Sequence, residues 1–278
     1  MKIFLTGGTG FIGNNFIKIA SKSNFIFAIS RKKNNQKIKN VKWLNGKINS
    51  DWKKYMKKSD VLVHLASTGV LKKNVTFKEC FKINVIESMM LLKNAYESGC
   101  TKWIIIGSSS EYGSTLNKSK PISKDDQLNP LDNYSISKMI LGKIALGLAK
   151  QWKTKLIYFR LFPVYGIGEN KNRLVPQMKK ATKKDSNFIL NNPTAKIDFN
   201  EVTNVCKTIL KACDYKSSRK AYSECWHIAS GKQMTIKQFA LNQWKSLNSK
   251  GKIILSKKRN QHKVLHHISD KKSIWSNK

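Results

Sequence analysis

The sequence lacks the features that mark membrane proteins and disulfide-bonded secreted proteins. No apolar run approaches the ~20 residues that span a bilayer. The N-terminus leads directly into a predicted strand, so we expect no signal peptide. The cysteines are odd in number and lack C-x-x-C spacing, which favours reduced thiols over disulfides or a zinc site; they are Cys80, Cys100, Cys206, Cys213 and Cys225. These absences predict a cytoplasmic protein.

Acidic residues are also scarce. The chain has 16 Asp and Glu against 53 Lys and Arg, a formal net charge of +37. Such an excess suits nucleic acid or anionic lipid, but the lysines form short pairs along the whole chain, such as Lys53-Lys54 and Lys179-Lys180. Because no basic tail or helix stands out, we interpret the charge mainly as biased composition on solvated faces. A preference for anionic substrates is the alternative, and nucleic-acid binding is disfavoured.

Glycine is concentrated at the start of the chain. Ile3–Leu5 reads as a buried strand, and Gly7, Gly8, Gly10 and Gly13 follow it in G-x-G-x-x-G spacing. The apolar residues behind them have the periodicity of a helix, namely Phe11, Ile12, Phe16, Ile17 and Ile19. Glycines allow a pyrophosphate to approach the bare backbone, and a helix N-terminus supplies N–H donors. This strand–turn–helix context predicts a dinucleotide cradle.

The rest of the N-terminal half alternates strands with helices. We predict strands over 25–30, 61–66, 103–106 and 156–161, and helices over 77–98 and 133–151. The alternation predicts an α/β fold, a Rossmann-type doubly wound parallel sheet with a smaller C-terminal substrate-binding lobe. We place the dinucleotide-binding domain at 1–165 and the lobe at 166–278, partly interleaved with it.

Ligands of such sheets bind at the carboxyl ends of the strands. His64–Ser67, Ser108–Ser110 and Arg160–Gly166 all follow predicted strands, so we expect them to meet the cradle in one cleft. His64 itself lies in an apolar strand, and we interpret it as a packed core residue.

A tyrosine and a lysine stand four residues apart on the second predicted helix. Tyr134 and Lys138 share a helix face at this spacing. An unperturbed tyrosine has a pKa of about 10, and a neighbouring ammonium favours the phenolate. With a serine from the end of the fourth predicted strand, the pair could move a proton on an alcohol or carbonyl oxygen.

These motifs resemble the extended short-chain dehydrogenase/reductases that act on nucleotide sugars. The resemblance covers nearly the whole chain and includes Thr6–Gly13, Val63–Ala66, Asn84, Gly107–Gly113, Tyr134–Lys138, Arg160–Gly168, Asp198-Phe199 and His227–Gly231. It implies Tyr134 as the acid/base, Lys138 as its pKa modulator and ribose ligand, Ser108 as the hydroxyl partner with Ser109 as fallback, and Asn84 as a support of the proton relay. It also implies a homodimer and a cofactor held by Gly7, Gly10, Phe11, Ile12, Gly13, Leu65, Ala66, Ser67, Asn84 and Lys138.

Three features narrow the reaction within this family. Ser30 and Arg31 stand where an acidic residue would hold the ribose of NAD, and an arginine accommodates the 2′-phosphate of NADP. Ser109 and Ser110 replace the Asp-Glu pair of the family's dehydratases. NADP in turn fits net reduction. We therefore predict NADPH-dependent reduction of a nucleotide-linked 4-keto-6-deoxy sugar. The alternatives are an NAD-dependent epimerase and a non-catalytic cofactor-binding protein that binds RNA or another polyanion.

The substrate side departs from the family pattern. Pro163 and Ile197 replace an asparagine and an arginine that usually help to hold the substrate diphosphate. Basic side chains bind phosphate well, so Arg173, Lys196 or Arg259 could substitute. We expect substrate contacts from Ser109, Ser110, Arg173, Val175 and Lys196. His262, His266 and His267 lack a nearby carboxylate set beyond Asp270, so we expect no metal there.

Overall fold

The computed structural model describes residues 1–70, 75–117, 120–247, 250–256, 266–267 and 269. In chain order its strands are β1 Lys2–Thr6, β2 Phe25–Ser30, β3 Val41–Asn45, β4 Val61–His64, β5 Lys102–Ser108, β6 Lys155–Leu161, β7 Val164–Tyr165, β8 Phe188–Leu190, β9 Lys196–Ile197, β10 Asn200–Glu201, β11 Tyr222–Ile228, β12 Ile253–Leu255 and β13 His266–His267. Its α-helices are α1 Phe11–Ala20, α2 Lys53–Met56, α3 Phe77–Phe81, α4 Ser88–Glu97, α5 Asn133–Gln151, α6 Leu174–Thr182, α7 Val202–Asp214 and α8 Ile236–Lys245.

A seven-stranded parallel sheet forms the centre of the protein, with strand order β11-β6-β5-β4-β1-β2-β3. This order confirms the predicted doubly wound α/β fold, because the chain leaves β1 in one direction and later returns past it in the other. The five strands predicted from the sequence correspond to β1, β2, β4, β5 and β6. The two edge strands, β3 and β11, were not predicted.

Helices cover both faces of the sheet. Successive residues of β1 point to opposite faces, as a strand requires. Ile3 and Leu5 join the core under α1 and α7, whereas Phe4 joins the core under α4 and α5. All three side chains are fully buried. Because both faces of the sheet are covered, the strand ends are left as the place for a cleft.

The predicted helix over 77–98 contains an irregularity. Thr76 and Glu79 form a capping box that starts α3, and Gly99, with φ of +77°, follows the C-cap Ser98 of α4. Between α3 and α4 the chain adopts a π-helix over Lys82–Glu87. Such segments occur often at functional sites. Here the π-helix carries Asn84.

The residues beyond 165 divide between the sheet and a small lobe. Helix α7 packs on α1, and β11 pairs with β6 along its whole length. In the small lobe, α6 and α8 share an apolar cluster with Leu190 of β8, formed by Met178, Leu190, Ala240 and Trp244. The chain therefore interleaves the sheet with the lobe. Arg259 and His262 lie outside the described residues.

Candidate active site

The glycine turn after β1 leaves no room for side chains. A Cβ on Gly13 would lie 2.1 Å from the carbonyl oxygen of Gly7, and Gly7 itself has φ of +74°. Gly10 caps α1 without a side-chain hydrogen bond, and the first turn of α1 contains no acidic residue. The helix N-terminus therefore presents backbone donors that no side chain occupies. A bare turn of this kind fits the pyrophosphate of a dinucleotide.

The loop after β4 packs directly against this cradle. A Cβ on Gly7 would lie 2.7 Å from the backbone nitrogen of Ala66. The Ala66 N–H donates to Thr6 Oγ1 at 3.1 Å, and Thr6 Oγ1 lies 2.7 Å from Nδ1 of His64. His64 is fully buried, and burial lowers its pKa to about 3. As predicted, His64 is a neutral core residue, and it holds the cradle beside Leu65–Ser67.

Asn84 connects this loop to helix α5. Its Oδ1 accepts from the Thr68 N–H at 2.8 Å and from Ser67 Oγ at 3.2 Å. Its Nδ2 donates to the Thr68 carbonyl at 3.0 Å and to Ser137 Oγ at 2.9 Å. These bonds use both oxygen lone pairs and both amide hydrogens. Asn84 therefore holds the Ser67–Thr68 loop at a fixed distance from the helix that carries Tyr134.

The serines after β5 face different ways. Ser108 Oγ lies 2.7 Å from Ser110 Oγ, and it also accepts from the Ser110 N–H at 3.2 Å. Ser109 is only 1% exposed, and its hydroxyl donates to the carbonyl of Leu161 at 3.0 Å. The predicted fallback and substrate contact, Ser109, is thus buried against β6. Ser108 and Ser110, both half-buried, remain beside each other at the strand end.

Tyr134 lies in the first turn of α5, near the hydroxyls of Ser108 and Ser67. The helix starts at a capping box in which Asp132 Oδ1 accepts from the Ser135 N–H at 2.7 Å. Burial raises the pKa of Tyr134 to about 12, and hydrogen bonding with Ser108 and Ser67 acts in the opposite direction. We expected the Lys138 ammonium to lower this pKa. The pKa of Tyr134 is instead raised, because the effect of burial is larger than that of the hydrogen bonds with Ser108 and Ser67 that favour the phenolate.

Lys138 lies one turn further along α5 and is 2% exposed. Burial lowers its pKa to about 8, while the charge of Glu111 raises it. The Lys138 charge also disfavours protonation of His64, which places the ammonium near the ends of β1 and β4. The structure therefore places Tyr134, Ser108 and Lys138 at the carboxyl ends of the parallel strands, where the cradle also lies.

The small lobe carries three of the predicted substrate residues, Arg173, Val175 and Lys196. Arg173 is the N-cap of α6, and its exposed side chain pairs with the largely buried Glu169 at 3.3 Å. Val175, in the first turn of α6, is 4% exposed and packs inward. Lys196 is half-buried on β9, which pairs with β13. Arg173 and Lys196 keep polar atoms accessible, whereas Val175 can offer only apolar contact.

Sequence reasoning missed the buried polar network behind the serines. Glu111 pairs with Arg160 at 3.0 Å, and Arg160 also donates to Tyr112 Oη at 2.9 Å. Tyr112 Oη lies 2.6 Å from Nε2 of His227 on β11. The sequence did contain a signal for this network, because Glu111 lies within the motif Gly107–Gly113 and Arg160 begins the motif Arg160–Gly168. Charged side chains are seldom buried unless they are paired. Two opposite charges in motifs at the ends of neighbouring strands therefore indicate a buried ion pair.

Two kinds of site are not found in the part of the chain that the structure describes. No described helix is long and apolar enough to cross a membrane. Among the same residues, no three His, Cys, Asp or Glu side chains are placed to hold a metal ion.

Comparisons with known proteins agree with this geometry. The model of the NAD dependent epimerase/dehydratase family matches residues 3–224. Escherichia coli dTDP-4-dehydro-6-deoxyglucose reductase is 26% identical over 85% of this chain and 78% of its own length. UDP-glucose 4-epimerase of Vibrio cholerae is 29% identical over 61% of this chain and 54% of its own.

A solved structure shares the fold. UDP-N-acetylglucosamine 4-epimerase from Methanobrevibacter ruminantium M1, in complex with UDP-N-acetylmuramic acid, superposes with a TM-score of 0.85 at 21% identity, over 97% of this chain and 89% of that one. The family match covers residues 3–224, which is most of the chain. The protein therefore belongs to the NAD-dependent epimerase/dehydratase family of extended short-chain dehydrogenase/reductases, and it is an NAD(P)-dependent enzyme that modifies nucleotide sugars.

Proposed function

We propose that this protein reduces a nucleotide-linked 4-keto-6-deoxy sugar with NADPH. The observation that carries the proposal is the absence of acidic residues around the adenosine end of the cradle. The first 50 residues contain no Asp or Glu, and exposed Arg31 follows β2, the neighbour of β1 in the sheet. A carboxylate at this point selects the ribose of NAD, whereas an arginine accommodates a 2′-phosphate.

Tyr134 is the proton donor in this proposal. The glycine turn after β1 would hold NADPH, which would supply the hydride that converts the keto carbon to an alcohol. Tyr134 donates its proton to the sugar oxygen, and Ser108 stabilises that oxygen by a hydrogen bond. With a pKa of about 12, Tyr134 keeps its proton throughout the neutral range. A protonated phenol can give its proton to the sugar oxygen as the hydride is transferred.

The strand-end serines disfavour dehydration. The resemblance implies that the dehydratases of this family use an Asp-Glu pair to move protons at neighbouring sugar carbons. Ser109 and Ser110 stand where that pair is expected, and Ser109 is bonded to the Leu161 carbonyl. The similarity to the E. coli reductase over 85% of this chain supports the same class of reaction.

An epimerase is the second candidate, and the 29% identity to the V. cholerae enzyme favours it. The two differ in their use of cofactor, because an epimerase returns its hydride to the sugar and consumes none. Incubation with NADPH and a panel of 4-keto sugar nucleotides, monitored at 340 nm, should show loss of NADPH with at least one of them. In a separate incubation with UDP-sugars and NAD⁺, interconversion of the sugars without net change in absorbance at 340 nm would instead establish the epimerase.

Arg31 is expected to determine cofactor choice. A charge-assisted hydrogen bond contributes about 1.5–3 kcal/mol, so Arg31→Ala should lower the ratio of kcat/KM for NADPH over NADH by about 10- to 100-fold. Lys18→Ala removes an exposed cation from the last turn of α1 and serves as the matched control. It should leave the ratio unchanged. An unaltered preference in Arg31→Ala would exclude contact with a 2′-phosphate.

A further inference from the structure

Glu111 is a carboxylate enclosed by the protein three residues after Ser108. It is 0% exposed. Its Oε1 accepts from the Ser108 N–H at 2.8 Å and lies 2.7 Å from Tyr158 Oη. Its Oε2 accepts from Arg160 Nε at 3.0 Å. Burial of a carboxylate is costly unless it is paired and hydrogen-bonded. These contacts meet that requirement and connect the carboxylate to the backbone that carries the Ser108 hydroxyl.

Tyr158 extends this connection from β6 to helix α5. Its Oη lies 2.7 Å from Glu111 and 2.9 Å from the carbonyl oxygen of Lys138, so its single proton is shared between two acceptors. Two glycines make room for the ring. A Cβ on Gly107 would lie 2.2 Å from Tyr158 Oη, and one on Gly142 would lie 2.7 Å from its Cζ. Strands β5 and β6 and helix α5 therefore meet at Glu111.

We propose that Glu111 is a positioning residue for the reaction, which holds the Ser108 and Lys138 backbones in one frame and whose negative charge acts on Tyr134 and Lys138. The assignment rests on the proposed function only in taking those groups as the reacting acid–base set. It differs from a purely structural ion pair, because the carboxylate accepts directly from the Ser108 N–H and is joined through the Tyr158 hydroxyl to the Lys138 carbonyl.

The charges around Glu111 give the sign of its effect. The titratable and charged groups that interact with its charge are Tyr112 in its own segment, Tyr158 and Arg160 on β6, Tyr134 and Lys138 on α5, and Cys225 on β11. Behind these, His227 contacts Tyr112, Arg160 donates to the Lys124 carbonyl, and the charge of Asp125 acts on Cys225 and His227. Glu111 raises the pKa of both Tyr134 and Lys138. Neutralising it leaves Arg160 unbalanced, so both pKa values should fall.

Activity tests use one charge-removing and one link-removing variant. Glu111→Gln should lower kcat for reduction by about 10- to 100-fold, since small misplacements of reacting groups have effects of this size. In the pH profile of kcat for Glu111→Gln, the alkaline limb should move to lower pH, because the protonated form of Tyr134 is lost at a lower pH than in the wild type. Glu111→Asp keeps the charge and should keep the limb in place. Tyr158→Phe removes only the hydroxyl that joins Glu111 to the Lys138 carbonyl. It should lower kcat without moving the alkaline limb of the pH profile.

Glu97→Gln is the control, since Glu97 forms a surface ion pair with Lys53 at 2.8 Å. It should change neither kcat nor the pH profile. Should Glu111→Gln fail to fold, Tyr158→Phe and Glu111→Asp still decide the question. Wild-type kcat in Tyr158→Phe, or a limb that moves in Glu111→Asp, would overturn the proposal.

A second measurement needs no substrate or cofactor. Tyrosine labelled with ¹³C at Cζ reports ionisation by NMR, and Tyr134→Phe identifies the signal of Tyr134. Glu111→Gln should lower the Tyr134 pKa relative to wild type, and Glu97→Gln should not. An unchanged Tyr134 titration in folded Glu111→Gln would refute the charge effect. Because this result is independent of turnover, it stands apart from any failure of the reductase assay.

Discussion

Tyr134→Phe should abolish most of the reductase activity while leaving the cofactor in place. Removal of a general acid costs on the order of 10²- to 10⁴-fold in kcat, and the proposed function makes the phenol of Tyr134, which is near Ser108, the proton donor. The ring remains, so packing against Gly69, whose Cβ position lies 3.1 Å from Tyr134 Cβ, is kept. NADPH affinity, measured by fluorescence titration, should stay within about twofold.

Tyr96→Phe is the matched control for this substitution. Tyr96 is 40% exposed and stacks on Trp152 on the outside of the fold. Loss of its hydroxyl should leave kcat unchanged. If Tyr134→Phe turned over substrate at the wild-type rate, another group would have to supply the proton, and the assignment of Tyr134 would be wrong.

Gly13→Ala should have the largest effect on cofactor binding. The added Cβ would lie 2.1 Å from the Gly7 carbonyl oxygen and 2.8 Å from the Gly8 Cα, and both are backbone atoms that cannot rotate away. Overpacking typically costs 1–3 kcal/mol, so the Kd for NADPH should rise by about 10- to 100-fold, with a lower Tm. Isothermal titration and thermal unfolding measure the two effects.

Gly147→Ala provides the contrast within the same protein. Gly147 is inside α5, and no heavy atom lies within 4 Å of its Cβ position. Alanine in a helix interior is favoured over glycine by roughly 0.5–1 kcal/mol, so Gly147→Ala should raise Tm and leave the Kd unchanged. Equal NADPH affinity in Gly13→Ala and wild type would show that the turn does not hold the pyrophosphate.

The sequence predicted the inner strands of the sheet and missed its two edges. Strands β1 and β4 are covered on both faces and therefore appear as short apolar runs. Strands β3 and β11 lie at the edges. Only Leu44 of β3 is buried, and β11 is mostly half-exposed. Their pairing depends on backbone hydrogen bonds to a neighbour, which no periodicity records.

The pairing of Tyr134 with Lys138 on one helix was predictable for a local reason, and the electrostatics of the pair were not. Tyr134 and Lys138 share a helix face whatever surrounds the helix. The direction of the Tyr134 pKa depends on burial, which comes from the sheet and loops packed around α5. The Glu111 network likewise joins residues 47 and 49 positions apart in the chain. Only the folded chain brings Tyr158 and Arg160 to Glu111.

The most direct test follows a deuterium atom from cofactor to sugar. NADPH deuterated at the transferable position of its nicotinamide is incubated with the protein and a nucleotide-linked 4-keto-6-deoxy sugar. Mass spectrometry should find one deuterium per product sugar and one NADP⁺ per turnover, and neither in Tyr134→Phe at comparable times. Unlabelled product, or an epimerised sugar with all NADPH intact, would contradict the account.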